Sequence, residues 1–167
     1  VPDGTPGACP AADLGAALGR DRLLLGGSMD ETVFGEAPFD IRYQYMAGDV
    51  PDEGPCDSCA ADCFVRGASC ANDAGCAWWG CWQWDALPPG QFVEDFVTQT
   101  AEGGAVPMIT YYIWFSVAGD VEGATEVEAL QDGDDVYALL ADFRFLCEVL
   151  ARDTSIPVIL HVEPDLW

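Results

Sequence analysis

The sequence has 167 residues, half of them hydrophobic, and its 29 acidic and 6 basic side chains give a formal net charge of −23. That apolar content excludes a disordered tail and suits one globular domain or part of a larger one. The charge excludes nucleic acids and acidic membranes as partners, because both are polyanions that repel such a chain. The apolar runs stay well short of the roughly 18–20 residues that a membrane-spanning helix needs.

The first fifty residues predict a helix, a strand, a second short helix that ends before Gly35, and a second strand. Residues 11–18 suit a short helix, and residues 22–25 form a compact apolar run typical of a buried strand. Residues 39–46 alternate in the manner of a half-buried strand, with Tyr45 near its end. Only a short segment joins the two strands, so a hairpin is the alternative to a parallel crossover.

Residues 48–86 form a cysteine- and tryptophan-rich segment without a helical or strand period. We predict a long inserted loop stapled by three disulfides, because dense, even-numbered cysteines are typical of exported proteins. A zinc site is the alternative, since Cys56 and Cys59 have zinc-knuckle spacing. The clustered cysteines are Cys56, Cys59, Cys63, Cys70, Cys76 and Cys81.

The same segment contains four tryptophans, Trp78, Trp79, Trp82 and Trp84. One interpretation is a small core, because a stapled loop needs apolar side chains to bury. The other is a surface on which the sugar rings of a polysaccharide stack. The sequence leaves both interpretations open.

The rest of the chain predicts two helices and two strands in alternation. They are a helix over residues 91–100, a strand over 106–115, a helix over 134–152 and a strand over 156–162. Cys147 falls on the apolar stripe of the last helix, which predicts either a buried thiol or a bridge to Cys9.

This alternation of helices with apolar strands indicates an α/β fold with a parallel sheet. Because a buried strand comes directly before the last residues, we expect residues 1–167 to be a single partial domain, half of a (β/α)8 barrel of the TIM type. The missing C-terminal half of the barrel would be supplied by a continuation of the same chain. Neither GxGxxG nor the P-loop motif occurs, which removes the usual arguments for nucleotide binding.

Acidic and aromatic side chains follow the predicted strands at their carboxyl ends, where (β/α) folds hold their functional sites. Paired carboxylates with aromatic platforms are what glycoside hydrolysis requires, since one carboxyl protonates the leaving oxygen and rings stack on the sugar. The candidate catalytic residues are Glu163, Asp165, Asp120 and Asp30. The candidate substrate-binding residues are the four loop tryptophans with Trp114, Trp167, Tyr112, Tyr45 and His161.

The triplet Glu163, Pro164 and Asp165 is the most informative of these positions, because it directly follows an apolar strand that would hold its carboxylates rigidly. A simple strand terminator with solvated acids is the alternative. His161 alternates with Glu163, so we expect the two side chains to share a face. His161 then either tunes the pKa of the neighbouring carboxyl or is a hydrogen-bonded core residue.

Residues 106–167 resemble the secreted cellulases of the sixth glycoside hydrolase family. The segments VPMITYYIW and VILHVEPD, with a loop and a helix between them, follow that family's order of strand, loop, helix and Glu-Pro-Asp strand end. The resemblance implies that Asp165 lies in the active site. The family's Arg-Asp-Cys motif, which carries the catalytic acid, is missing here, and Asp120 is its nearest substitute.

A second resemblance is to the clan of (β/α)8 glycosidases that carry Asn-Glu-Pro at the end of the fourth strand. Val162-Glu163-Pro164 matches two of these three residues and implies that Glu163 is the acid/base. The two resemblances agree on fold and reaction class and differ on which carboxylate is the acid.

We therefore expect a secreted or cell-surface glycoside hydrolase that acts on a neutral polysaccharide such as a β-glucan, without a cofactor. The alternative is a non-catalytic extracellular module that binds a glycan or a protein through the Trp/Cys-rich loop. Metal storage by the six clustered thiols is a third hypothesis. A structural Ca²⁺ at the acidic loop runs is a further alternative, although neither run has EF-hand spacing.

Overall fold

The computed structural model describes residues 10–29, 31–36, 39–46, 50, 82–83, 88–118 and 124–163. The helices of this part are α1 (Pro10–Ala17), α2 (Glu31–Glu36), α3 (Gln91–Glu102), α4 (Trp114–Val117), α5 (Ala124–Ala129) and α6 (Gly133–Leu150). Its strands are β1 (Gly26–Ser28), β2 (Ile41–Met46), β3 (Val106–Tyr111) and β4 (Ile159–Val162). The predicted α/β class is confirmed.

In the described part of the chain, four strands form one parallel sheet in the order β1-β2-β3-β4. Each strand therefore pairs with the next one along the sequence. The parallel pairing of Gly26 with Ile41 excludes the hairpin alternative for the first two strands. The prediction of a buried strand over residues 22–25 is wrong: β1 begins at Gly26, and Leu23 and Leu25 are exposed.

The core lies on one face of the sheet. Met46, Ile109 and Tyr111 join it from the strands, and α3 contributes residues that recur at helical spacing. The buried members of the core are Met46, Trp82, Val93, Phe96, Val97, Ile109, Tyr111, Ile113, Leu146 and Val149.

The opposite face of the sheet, here called the open face, carries the alternate strand residues, of which Val106 and Thr110 are buried and the others are partly buried or exposed. Tyr43 and Tyr45 lie on it with their rings in contact, 5.7 Å apart between centroids. In the parallel register Tyr43 pairs with Met108 and Tyr45 with Thr110, so these residues continue the same face. The open face thus mixes apolar, aromatic and polar groups.

Helix α6 confirms the predicted helix, and its Leu139, Phe143 and Leu150 are partly buried against the core. Asp132 caps it by accepting the Asp134 backbone N–H at 3.0 Å. The buried residues are Asp142, Leu146 and Val149. Cys147 is free and exposed, so the prediction of a buried thiol is wrong.

Arg42 is a buried cation on the core side of β2, 6% exposed. Its guanidinium lies between the rings of Phe34 on α2 and Phe96 on α3, 5.0 Å from each centroid, and its Nε donates to the Met29 carbonyl at 3.2 Å. Cation–π contacts of this kind contribute most where they are desolvated. Arg42 therefore joins α2 and α3 to the sheet.

Asp40 ties the start of β2 to the segment before β1. Its carboxylate accepts the Leu25 backbone N–H at 3.0 Å and both terminal nitrogens of Arg22, at 2.5 and 2.7 Å. These interactions, with the Leu25 hydrogen bond the largest, hold the pKa of Asp40 below its ordinary value.

We expect Asp40→Asn to destabilise the fold at neutral pH, because the amide is a weaker partner for Arg22. A carboxyl with a lowered pKa stabilises the fold above its ordinary pKa of 3.8, and this stabilisation is lost as the pH falls through the folded value. The difference in free energy of unfolding between the two proteins, measured by urea denaturation, should therefore shrink on acidification. A difference that is equal at neutral and strongly acidic pH would contradict this role.

Candidate functional site

Glu163 lies directly after β4, at the carboxyl end of the strand. It is 5% exposed, and its Oε1 accepts the backbone N–H groups of Ile113 and Trp114, each at 3.1 Å. Its own backbone N–H donates to the Tyr111 carbonyl at 2.8 Å. These bonds join the end of β4 to the segment after β3 and hold the carboxyl group in one position.

The backbone of Glu163 is left-handed, with a φ of 43°. A residue with a side chain adopts this conformation at a cost of roughly 1–3 kcal/mol, and only where surrounding contacts enforce it. The prediction that His161 and Glu163 share a face assumed that the alternation of the strand continues to Glu163. The left-handed backbone of Glu163 departs from that alternation. Such enforced residues cluster at functional sites.

Burial raises the pKa of the Glu163 carboxyl above its ordinary value of 4.5, and the nearby charge of Glu126 acts in the same direction. The hydrogen bonds from Ile113 and Trp114 lower the pKa, but they do not outweigh burial. A carboxyl with a raised pKa keeps its proton to higher pH, and this is the property that a general acid needs.

The segment after β3 carries aromatic residues on both sides of the two backbone donors. Tyr112 and Phe115 flank the two residues that donate to Glu163, and their half-buried rings stack 6.1 Å apart with 10° between the planes. The Met46 carbonyl fixes the backbone N–H of Tyr112 at 2.8 Å. The predicted strand over residues 106–115 is therefore too long: β3 ends at Tyr111, and the following residues build the site.

Trp114 is 1% exposed, and its ring is packed inside the protein. Its indole N–H donates to the backbone carbonyl of Glu126 on α5 at 3.1 Å. A ring in this position offers no open face to a sugar. Trp114 was predicted to stack on substrate. In the structure it instead donates hydrogen bonds to Glu163 and to the Glu126 backbone.

A second buried polar group lies at the end of β3. Asp142 accepts Gln83 Nε2 at 2.5 Å and the Tyr111 hydroxyl at 2.8 Å, and burial raises its pKa although both hydrogen bonds lower it. Trp82, beside Gln83, is fully buried and stacks on Phe145 at 5.6 Å between centroids. Trp82 therefore belongs to the core, as the first interpretation of the tryptophans expects, and its ring is not available for stacking on a sugar.

His161 and Tyr45 lie on the open face of the sheet. His161 is exposed, and its Nδ1 is 3.5 Å from Thr110 Oγ1 on the neighbouring strand. Tyr45 is half-buried and contacts Tyr43. Neither residue is a buried core residue, so both stay candidates for contact with substrate.

Several predicted residues lie outside the described part of the chain. They are the catalytic candidates Asp30, Asp120 and Asp165, the tryptophans Trp78, Trp79, Trp84 and Trp167, and the six cysteines between Cys56 and Cys81. Their roles stay predictions.

Sequence reasoning missed Phe115, Glu126, Gln83 and Asp142. With 29 acidic residues in the chain, no single carboxylate stands out by composition. Asp142 could have been found, because it lies three residues after Leu139 and four before Leu146, on the stripe that α6 turns to the core. No pattern distinguishes Glu126, because the fold alone brings it close to Glu163.

Among the helices that the structure describes, none has the length and apolar character needed to cross a bilayer. The described His, Cys, Asp and Glu side chains do not gather in any group of three that could hold a metal ion. The predictions about cofactors and Ca²⁺ therefore stay predictions.

The candidate site therefore consists of Glu163, the backbone N–H groups of Ile113 and Trp114, and the stacked rings of Tyr112 and Phe115. No protein-family model, no curated protein and no solved structure matches this chain.

Proposed function

We propose that this protein is an extracellular glycoside hydrolase that acts on a neutral polysaccharide such as a β-glucan, with Glu163 as its catalytic acid. One observation carries the proposal: a buried carboxyl at the carboxyl end of a parallel sheet, held by two backbone N–H groups, has a raised pKa. Sites of (β/α) enzymes gather at this edge of the sheet.

The hydrogen bonds of Glu163 define which oxygen carries the proton. Oε1 accepts from Ile113 and Trp114, so the proton of the neutral carboxyl resides on Oε2. Oε2 then gives this proton to the glycosidic oxygen as the bond to the anomeric carbon breaks. A second carboxylate assists water or attacks that carbon, and Asp165, Asp120 and Asp30 are the proposed candidates.

A (β/α)8 barrel is the architecture that we propose for the complete domain, with the described strands in one half. The order of the described strands supports it, because each of them lies beside the next one and their order does not reverse as in doubly wound sheets. Leu160 and Val162 of β4 are each 37% exposed. A further helix and strand packed against β4 would cover these side chains.

The substrate class follows from charge and aromatic content. A net charge of −23 disfavours anionic polysaccharides, because carboxylated or sulfated sugars would be repelled. The stacked rings of Tyr112 and Phe115 lie next to the residues that hold Glu163, and aromatic rings suit the apolar face of a pyranose. Disulfide pairing of the cysteines in residues 48–86 and export from the cell are part of the same proposal.

The test is the release of reducing sugar from β-glucan by the full-length protein and its Glu163→Gln variant. We expect Glu163→Gln to lower the rate by about 10²- to 10⁴-fold, the usual contribution of a general acid. Glu128→Gln is the control, because Glu128 is an exposed carboxylate on α5. Circular dichroism and thermal unfolding of each variant check that it is folded.

Activity that is equal in the wild type and in folded Glu163→Gln would contradict the proposal. Asp165→Asn in parallel separates the two family resemblances. If Asp165→Asn alone lost activity, Asp165 and not Glu163 would be the essential carboxylate. Binding of glycan without any turnover by the wild type would favour the non-catalytic alternative.

A further inference from the structure

Three residues of the open face form a row across neighbouring strands. In the parallel register, Tyr45 on β2 pairs with Thr110 on β3, and Thr110 pairs with His161 on β4. Because paired residues of parallel strands turn their side chains to the same face of the sheet, these three side chains lie side by side. We call them the polar row. It lies one residue before the end of each of the three strands.

On β3 and β4 the open face is apolar before this row. Met108 pairs with Ile159 in the row nearer the amino ends, and Val106 lies one row further back on β3. Polar side chains on the open face of these two strands are therefore confined to Thr110 and His161. They lie at the carboxyl ends of the strands, which is the edge where (β/α) folds hold their functional sites.

Thr110 anchors the imidazole of His161 at one nitrogen. Thr110 is 1% exposed, whereas His161 is exposed, and Thr110 Oγ1 lies 3.5 Å from His161 Nδ1, at the long end of hydrogen-bond distance. A buried hydroxyl is costly unless it has such a partner. The second ring nitrogen, Nε2, lies on the far side of the imidazole from Thr110.

The polar row lies at the same edge of the sheet as Glu163. His161 precedes Glu163 by two residues on the chain, and the Glu163 backbone N–H donates to the carbonyl of Tyr111, the residue directly after Thr110. Tyr45 adds a half-buried aromatic ring to the row. Such a ring suits the apolar face of a pyranose, while the polar groups beside it suit the hydroxyl groups on the rim of the sugar.

We propose that the polar row is a sugar-binding site, in which His161 Nε2 forms a hydrogen bond with a hydroxyl group of a neutral glycan and Thr110 is the positioning residue of the imidazole. The part of this site in cleavage rests on the proposed function, whereas its binding of glycan does not. A sugar hydroxyl both donates and accepts, so it can pair with Nε2 in either neutral tautomer of His161.

The test uses the fact that His161 is the only histidine in the sequence, so its imidazole signals in ¹H–¹⁵N NMR spectra need no assignment. The untagged full-length protein is titrated at constant pH with thio-linked cellotetraose. In this β-glucan fragment sulfur replaces the glycosidic oxygens, so the probe is not cleaved. We expect the Nε2 signal to move more than the Nδ1 signal as the glycan binds.

Two variants of His161 separate its two nitrogens, with the affinity for the same probe measured by calorimetry. His161→Asn places an amide near the position of Nδ1 and should lower the affinity by about 2- to 10-fold, the contribution of one neutral hydrogen bond. His161→Gln reaches the position of Nε2 and should keep most of the affinity. Circular dichroism checks that each variant is folded.

Thr110→Val tests the positioning role, because it keeps the shape of the side chain and removes the hydroxyl. We expect weaker binding and, without ligand, a changed Nδ1 signal of His161. Thr110→Ser keeps the hydroxyl and should restore both. Thr100→Val is the matched control and should change neither, because Thr100 is a fully buried threonine on α3 whose hydroxyl has no hydrogen bond.

The inference would be overturned if the probe did not bind, if the Nε2 signal stayed in place at saturation, or if His161→Asn bound as tightly as the wild type. Thr110→Val with wild-type affinity and an unchanged Nδ1 signal would remove the positioning role. If Nε2 responds but Glu163→Gln stays fully active, the polar row is upheld and the catalytic role of Glu163 is not. If Glu163→Gln is inactive while Nε2 does not respond, the proposed function stands without this site.

Discussion

Replacing Trp82 by alanine is expected to destabilise the folded protein by about 3–5 kcal/mol, the usual cost of removing a large buried aromatic side chain. Trp82 is fully buried, belongs to the core and stacks on Phe145 with 21° between the ring planes. Its removal leaves a cavity between α6 and the sheet. A loss of this size is a large fraction of the 5–15 kcal/mol that typical domains have, so partial unfolding at room temperature is expected.

Urea denaturation followed by far-UV circular dichroism measures this loss. Trp82→Phe should cost clearly less, because phenylalanine keeps a ring against Phe145. Tyr137→Ala is the control for an exposed aromatic, since Tyr137 on α6 is 75% exposed, and it should change stability by less than about 0.5 kcal/mol. If Trp82→Ala were as stable as Tyr137→Ala, Trp82 would not lie in the core.

Replacing Asp142 by alanine is expected to cost about 1–3 kcal/mol, because a buried donor loses its acceptor. Gln83 Nε2 would be left without Asp142, whereas the Tyr111 hydroxyl also lies 3.3 Å from the Leu139 carbonyl. Asp142→Asn should cost much less. Gln83 Oε1 is buried without a hydrogen bond, so a rotated Gln83 amide can accept from the new asparagine.

The same pair of variants has a pH dependence with a definite sign. Burial raises the pKa of Asp142, so ionisation of this carboxyl opposes folding. Wild-type stability should therefore fall relative to Asp142→Asn as the pH rises from the ordinary value of 3.8 through the raised folded value. Denaturation at acidic and neutral pH measures this difference. Equal losses in Asp142→Ala and Asp142→Asn at every pH would contradict the rearranged hydrogen bond.

The longer apolar segments could be predicted from sequence because their periodicity reflects burial. The predicted helix over residues 134–152 overlaps α6 over all but its first residue, and the predicted strand over 39–46 contains β2. The prediction of a buried strand over residues 22–25 was wrong, because a short apolar run does not reveal whether other parts of the protein pack on its side chains. Leu23 and Leu25 of that run are exposed, while the glycines after it pair with β2.

The site was predictable only in part. Glu163 could be found from its place after an apolar strand, because a parallel sheet delivers such residues to one edge. Its partners could not, since Oε1 binds backbone N–H groups, which carry no sequence pattern. Glu126 lies 37 positions away along the chain, and its backbone carbonyl accepts the indole N–H of Trp114.

Met46 and Trp82 are members of one core cluster, although 35 residues separate them along the chain. The entropic cost of bringing two such positions together grows only with the logarithm of the number of residues between them, about 0.6 kcal/mol for each doubling. A change in the number of residues between these two positions is therefore expected to alter the stability of the sheet much less than the loss of either core side chain.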